Sequence, residues 1–166
     1  MVYFFILYTC CIIYTKLVER YKKVKIKMVI LASDHAGFKL KETIKKFLIK
    51  ENKEVLDLGT KNTQSVDYPD YAHLLSKKMR TSANKLGILI CGSGTGMAMA
   101  ANKHKNIRAA LCYNIKSTKL SREHNNANVM AIGARLTKKK VVLKCINIFL
   151  NTNFKGGRHN KRVKKI

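Results

Sequence analysis

A single thiol, Cys91, opens the run Cys91-Gly92-Ser93-Gly94-Thr95-Gly96, directly after the apolar stretch Leu86-Gly87-Ile88-Leu89-Ile90. Glycines at alternate positions let backbone N–H groups crowd around one anion. The helix read from Met97-Ala98-Met99-Ala100-Ala101 adds partial positive charge at the same spot. A sulfur at a helix start is favoured as the thiolate, which suits it to act as a base or a nucleophile. The spacing is not the G-x-G-x-x-G of dinucleotide sites. The position about 20 residues on, near Cys112, also lacks the acid that would hold a ribose. No Gly-Lys-Ser/Thr closes the loop, so it is not a nucleoside-triphosphate loop either. Taken alone, such a run serves equally as a tight strand-to-helix turn or as an anion site.

Other polar residues fall where an α/β domain keeps its chemistry. In open sheets ligands bind beyond the carboxyl ends of the strands. The strand ends here carry Asp34-His35, Asp57-Gly59, Cys112-Asn114 and Gly133-Arg135 besides the Cys91 loop. His124 sits in the polar stretch Ser121-Arg122-Glu123-His124-Asn125-Asn126-Ala127-Asn128. Arg158 and Arg162 are four residues apart, with His159 between; on one helix face they would clamp a phosphate. Cys112 and Cys145 read as small buried hydrophobes.

These residues need a frame. Val29-Ile30-Leu31-Ala32 is an apolar strand and Ser33 to Gly37 a turn. Leu40, Ile44, Phe47 and Leu48 then mark one face of an amphipathic helix, with lysines on the other. Strands are predicted at Val55–Leu58, Leu86–Ile90, Arg108–Cys112 and Val129–Ile132. Gln64 to Pro69 reads as a loop. Helices are predicted at Tyr71–Arg80, after the glycine loop, at Ile115–His124, and around Val141, Val142, Cys145, Ile146 and Phe149. The tail from Phe154 is basic and irregular at its start. Strands alternating with helices predict one Rossmann-like, three-layer α/β/α domain on a five-stranded, mainly parallel sheet.

A chain of 166 residues is long enough for one domain with a full core. We divide it into an apolar and basic extension (1–27), the α/β domain (28–153) and a basic tail (154–166). Val2 to Tyr14 is apolar but shorter than the roughly 20 residues of a membrane span. It lacks a secretory cleavage signal. It reads as a membrane or organelle-targeting appendage, a docked helix or translation begun upstream of Met28, the last being favoured because Met28 opens a clean strand. Cys10, Cys11, Cys91, Cys112 and Cys145 form an odd set without a C-x-x-C pair. That excludes a disulfide framework and a zinc site, and points to a reducing, cytoplasmic setting. With 34 lysines and arginines against nine acids, the net charge is +25. Such charge attracts anionic partners. A basic module for nucleic acid or an anionic membrane is therefore the rival reading, although no zinc spacing or aromatic-studded RNA motif supports specific nucleic-acid recognition.

Several longer motifs occur in order: Ser33-Asp34-His35-Ala36-Gly37-Phe38-Lys39-Leu40-Lys41, Val66-Asp67-Tyr68-Pro69-Asp70-Tyr71-Ala72, and Ile90 to Met97. Ala100-Ala101-Asn102-Lys103, Ser121 to Asn125, Ala131-Ile132-Gly133-Ala134-Arg135 and Gly156-Gly157-Arg158-His159 follow. From Met28 to the tail the chain resembles the ribose-5-phosphate isomerase B family, which also holds galactose-6-phosphate isomerase subunits. The resemblance implies aldose–ketose isomerisation of ribose 5-phosphate and ribulose 5-phosphate, or of a related allose or galactose phosphate, without metal or organic cofactor. It makes Cys91 the base that moves a proton between C1 and C2; a sister subgroup uses a glutamate at the place of Met97. Gly92, Ser93, Gly94, Thr95 and Gly96 would hold the enediolate oxygens, with Ser93 where many members have threonine. His124 would open the furanose, oriented by Asp67. Asp34 and Asn125 would bind the sugar, while His35, Arg135, Arg158 and Arg162 would gather its phosphate. Family sites lie between two subunits, implying a homodimer or a dimer of dimers in which one chain's tail serves its neighbour.

Overall fold

The computed structural model describes residues 28–80 and 85–166, so the amino-terminal extension lies outside the described residues. Five strands, β1 (Met28–Ser33), β2 (Glu54–Asp57), β3 (Lys85–Cys91), β4 (Ala109–Leu111) and β5 (Val129–Gly133), pair in the order β2-β1-β3-β5-β4. Every pair is parallel, so the sheet is wholly rather than mainly so. The helices are α1 (Phe38–Lys50), α2 (Tyr68–Met79), α3 (Thr95–Ala101), α4 (Ile115–Asn125), α5 (Lys139–Asn151) and α6 (Arg158–Val163).

Alternation along each strand sends its side chains to two cores. Val29, Leu31, Ile88, Ile90, Met130 and Ile132 meet Ile44 and Leu48 of α1 and Val142, Cys145, Ile146 and Phe149 of α5. Ile30, Ala32, Leu89 and Cys91 meet Ala72, Leu75 and Met79 of α2 and Met97 and Ala101 of α3. A parallel sheet covered on both faces has near-continuous apolar strands, which is why β1 and β3 read so clearly in the sequence. The connections from β1 and β3 diverge, one toward β2 and the other toward the far edge. A crevice therefore opens between their carboxyl ends.

Three expectations need correction. Helix α2 begins at Tyr68 rather than Tyr71, because Pro69 lies in the first turn, where its missing N–H has no intrahelical partner to lose. The tail is irregular at its start, as expected, and folds into α6 once Gly156 and Gly157, with φ of 64° and 56°, have reversed the chain. Strand β2 is Glu54–Asp57, one residue earlier than expected. Lys41 is not on the solvent face of α1 but is buried. The sheet ends in its shortest strands, four residues in β2 and three in β4. Asn102 pins β4 by accepting from the Ala109 N–H at 2.7 Å and donating to its carbonyl at 2.9 Å.

Candidate active site

At the carboxyl edge of the sheet, Cys91 ends β3 as a buried residue, and its Sγ accepts the Gly94 N–H at 3.0 Å. Gly94 has φ 82°, a conformation that side-chain-bearing residues rarely adopt. A Cβ there would also stand 2.9 Å from the Gly133 nitrogen. The loop is tied to the exit of β5 by Ala134 N–H to the Cys91 carbonyl (2.8 Å) and Arg135 N–H to the Gly92 carbonyl (3.0 Å). The Arg135 guanidinium lies over Gly92, 3.3 Å from where a Cβ would be. Ser93 and Thr95 are exposed on the rim, and Thr95 and Gly96 begin α3. The first-turn N–H groups of a helix have no acceptor within it, so the cradle presents donors. Met97 is fully buried, in the core rather than in the site.

The same edge holds the end of β1. The Asp34 N–H donates to the Ile90 carbonyl at 3.1 Å, and its buried carboxylate accepts the Gly37 N–H at 2.8 Å. His35 Nδ1 faces both polar atoms of Val66, the N–H at 3.2 Å and the carbonyl at 3.3 Å. The neutral ring accepts from the first and leaves Nε2–H free to donate outward; the cation donates to the second. Asp67 occupies the N-cap of α2, on a recess shared with Val66, Asp70 and Tyr71.

His124 and Asn125 lie elsewhere. Helix α4 runs from the carboxyl end of β4 back to the amino end of β5, so its last turn sits at the opposite edge of the sheet. The strand register fixes this: Gly87 pairs with Val129 and Cys91 with Gly133, and the Gly87 N–H donates to the Asn128 carbonyl at 2.9 Å. At about 3.3 Å rise per residue, the two edges are roughly 13 Å apart along β3 alone. The His124 ring stacks on that of His159, with centroids 4.3 Å apart and an interplanar angle of 9°. Thus α6 brings Arg158 and Arg162, exposed and one turn apart, to His124.

The amino edge is held by charge. Arg122 fastens the end of α4 by donating to the Ala127 and Thr152 carbonyls, its guanidinium 5.4 Å from the centre of the Phe149 ring. Glu123 pairs with Lys155 at 3.0 Å, and that hydrogen bond holds its carboxyl below the usual range. Burial lowers the pKa of His159, and the neighbouring His124, Arg158, Arg162 and Lys155 lower it further. By contrast, burial pushes the Cys112 thiol up to about 11, leaving it inert. Among the described residues no helix is long and apolar enough to cross a membrane, and no group of three or more His, Cys, Asp or Glu could hold a metal ion.

The structure thus brings Cys91, the glycine loop, Asp34, His35, Asp67 and Arg135 to one edge, and His124, Asn125, Arg158 and Arg162 to the other. Sequence reasoning missed two contributors. One is the stacking of His159 on His124, for which the tail helix was the needed signal. The other is Tyr68, whose ring covers Gly96 so closely that a Cβ there would lie 2.6 Å from Cζ.

A doubly wound domain with a thiol-bearing cradle at its switch point is an α/β enzyme scaffold, and comparison narrows the class. Residues 29–166 match the family model described as Ribose/Galactose Isomerase, and the chain belongs to that family. It is similar to ribose-5-phosphate isomerase B of Escherichia coli, with 39% identity over 84% of this chain and 94% of that one. Ribose 5-phosphate isomerase B of Anaplasma phagocytophilum superposes with a TM-score of 0.81 at 46% identity, covering 87% of this chain and 98% of the other. The Mycoplasma genitalium enzyme, solved with bound ribulose-5-phosphate, gives 0.80 at 42% identity, over 83% and 92% of the two chains.

Proposed function

We propose that this protein interconverts D-ribose 5-phosphate and D-ribulose 5-phosphate in a site completed by two subunits. The observation that carries this reading is the Cys91 sulfur, 3.0 Å from a loop N–H at the β1–β3 crevice, with the Asp34 carboxylate on the neighbouring strand end. The ribulose-5-phosphate bound by the Mycoplasma genitalium relative supports the substrate class.

In the open-chain aldose, the Cys91 thiolate takes the C2 proton. The C–H electron pair forms the C1–C2 double bond, and the carbonyl electrons move onto O1. The loop N–H groups stabilise that oxyanion, which exists only along the reaction path; one such donor is worth about 3 kcal/mol. Cys91 returns the proton to C1 and the O2 proton passes to O1, so that the C2 carbonyl forms, the C1 hydroxyl is restored and the ketose results. His124 supplies the proton that opens the furanose ring. Asp34 and Asn125 hold sugar hydroxyls, and His35, Arg135, Arg158 and Arg162 bind the phosphate. The sequence of steps calls on no metal or organic cofactor.

His124 and Cys91 lie on opposite edges of one chain, so they act together only if one subunit's amino edge meets its partner's carboxyl edge. An Asp67–His124 pairing belongs to the same cross-subunit contact. Exposed Tyr68, Met99, Leu111, Tyr113 and Ile115, around the cradle and the β4 edge, are the apolar surface such a dimer would cover. Cys91, Cys112 and Cys145 are free thiols, which fits a cytoplasmic setting.

The test is an isomerisation assay of the purified protein on ribose 5-phosphate, allose 6-phosphate and galactose 6-phosphate. The expected result is the highest kcat/KM on the pentose. Preference for a hexose phosphate would move the reading to the sister activities, and turnover of none would overturn it.

A further inference from the structure

We propose that Lys41 is a positioning residue for Asp34 and His35, acting through Asp57 and the turn that follows it; this rests on the sugar- and phosphate-binding roles given to that pair above. Lys41 is only 1% exposed, an unusual place for an ammonium group. Its Nζ reaches both oxygens of Asp57, at 2.8 and 2.7 Å, and Glu42 at 2.6 Å. Lys45, on the exposed side, adds a contact of 2.9 Å to the same carboxylate. Burial alone would raise the Asp57 pKa, but the hydrogen bonds from Lys41 and Lys45 win and hold it below its ordinary value.

A buried ion pair is a poor way to fill a core, since apolar side chains of the same volume usually serve stability as well or better. What this pair supplies is direction. Asp57 Oδ1, held by Lys41, also accepts the Gly59 N–H at 3.0 Å. The Gly59 carbonyl in turn accepts the Ser33 N–H at 2.7 Å, and the Thr60 N–H donates to the Ser33 carbonyl at 2.9 Å. Ser33 is the last residue of β1, and Asp34 follows it. The loop from Asp34 to Gly37 is thus fastened on one side to β3 through the Ile90 carbonyl. On the other side it hangs from the turn that Lys41 and Asp57 hold. Lys41 also closes the circuit from within, because its own N–H donates to the Gly37 carbonyl at 2.8 Å.

Asp34 and His35 bind substrate in both ground and transition states, so loosening them should raise KM and spare kcat. In Lys41→Met the KM for ribose 5-phosphate is expected to rise about tenfold, with kcat within about threefold of wild type. Amide hydrogen exchange across residues 33–37, measured without substrate, should quicken in the same variant. Lys45→Met, which removes the exposed partner of Asp57, should leave KM within about twofold. A purely structural lysine would lower Tm and leave KM and the local exchange unmoved, and that result overturns the proposal. If Lys41→Met does not fold, Asp57→Asn keeps an acceptor for Gly59 while discarding the charge. A KM increase of about threefold is then expected, and an unchanged KM is fatal to the idea. Should wild type show no isomerase activity, the functional reading fails, while the exchange measurement still decides whether Lys41 holds the loop.

Discussion

The two edges of the sheet are built from different materials. At the carboxyl edge the cradle is backbone: Cys91, Gly92 and Gly94 are fixed by N–H and carbonyl contacts to one another and to β5. At the amino edge the candidate groups are side chains on two helix ends, a stacked histidine pair among arginines and lysines, with Glu123 the nearby acid. A backbone cradle offers donors without net charge and costs no reorganisation when charge develops, which suits an enediolate. A cluster of cations suits a ligand that arrives already charged, such as a phosphate. The fold keeps the two apart in one chain, so under the proposed function the division of labour becomes a division between subunits.

The sharpest break in that comparison is Cys91→Ala. Removing the base should lower kcat by at least about a thousandfold while KM changes little, because the cradle and the cationic edge remain. Steady-state kinetics would show this, and near-normal turnover would reduce the cradle to a binding loop. Next comes mixing two inactive variants, Cys91→Ala and His124→Ala. If each site takes Cys91 from one subunit and His124 from the other, half of randomly paired dimers hold one intact site. About a quarter of wild-type activity should then return. Recovery of none would place both residues in the same subunit's site. Smaller effects belong to the cationic edge. Arg158→Ala and Arg162→Ala should each raise KM roughly 10- to 100-fold, as loss of a charge-assisted hydrogen bond implies.

The smallest expected effect is on stability. The folded protein disfavours protonated His159, through burial and then its cationic neighbours. It likewise disfavours protonated His104, through burial and then His73, Lys77 and Arg80. Folded values below the ordinary 6.5 mean that the unfolded chain binds more protons in this window. Stability should therefore rise with pH up to about 6.5 and fall below it. Calorimetric Tm values at pH 7.5 and 5.5 test the sign, and His159→Asn should flatten the difference. A Tm unchanged on acidification would argue against these histidines being held neutral.

Much of the frame was legible because buried parallel strands are nearly uninterrupted apolar runs, as in Val29–Ala32 and Ile88–Ile90. The Cys91 loop was legible for a local reason: glycines at alternate positions between a strand and a helix constrain what the backbone can do. The edge on which His124 falls could not be read this way. It depends on α4 returning from β4 to β5, a fact of strand order rather than of neighbouring residues. Lys41 was missed because a lysine on an amphipathic helix normally faces water, and only the distant Asp57 makes its burial tolerable. Pro69 misled because it starts a helix that it was expected to precede.

The short outer strands β2 and β4 have a consequence for how copies of this chain meet in a crowded solution. A sheet grows into fibrous aggregates by recruiting strands to long, flat, unpaired edges. Here the outer strands are four and three residues long, and β4 is tethered at its entrance by Asn102. They give an incoming strand little to template on, while a net charge of +25 keeps stray copies apart. The second copy called for by the proposed function would then be met through side-chain surfaces, without the hazard of open-ended strand addition.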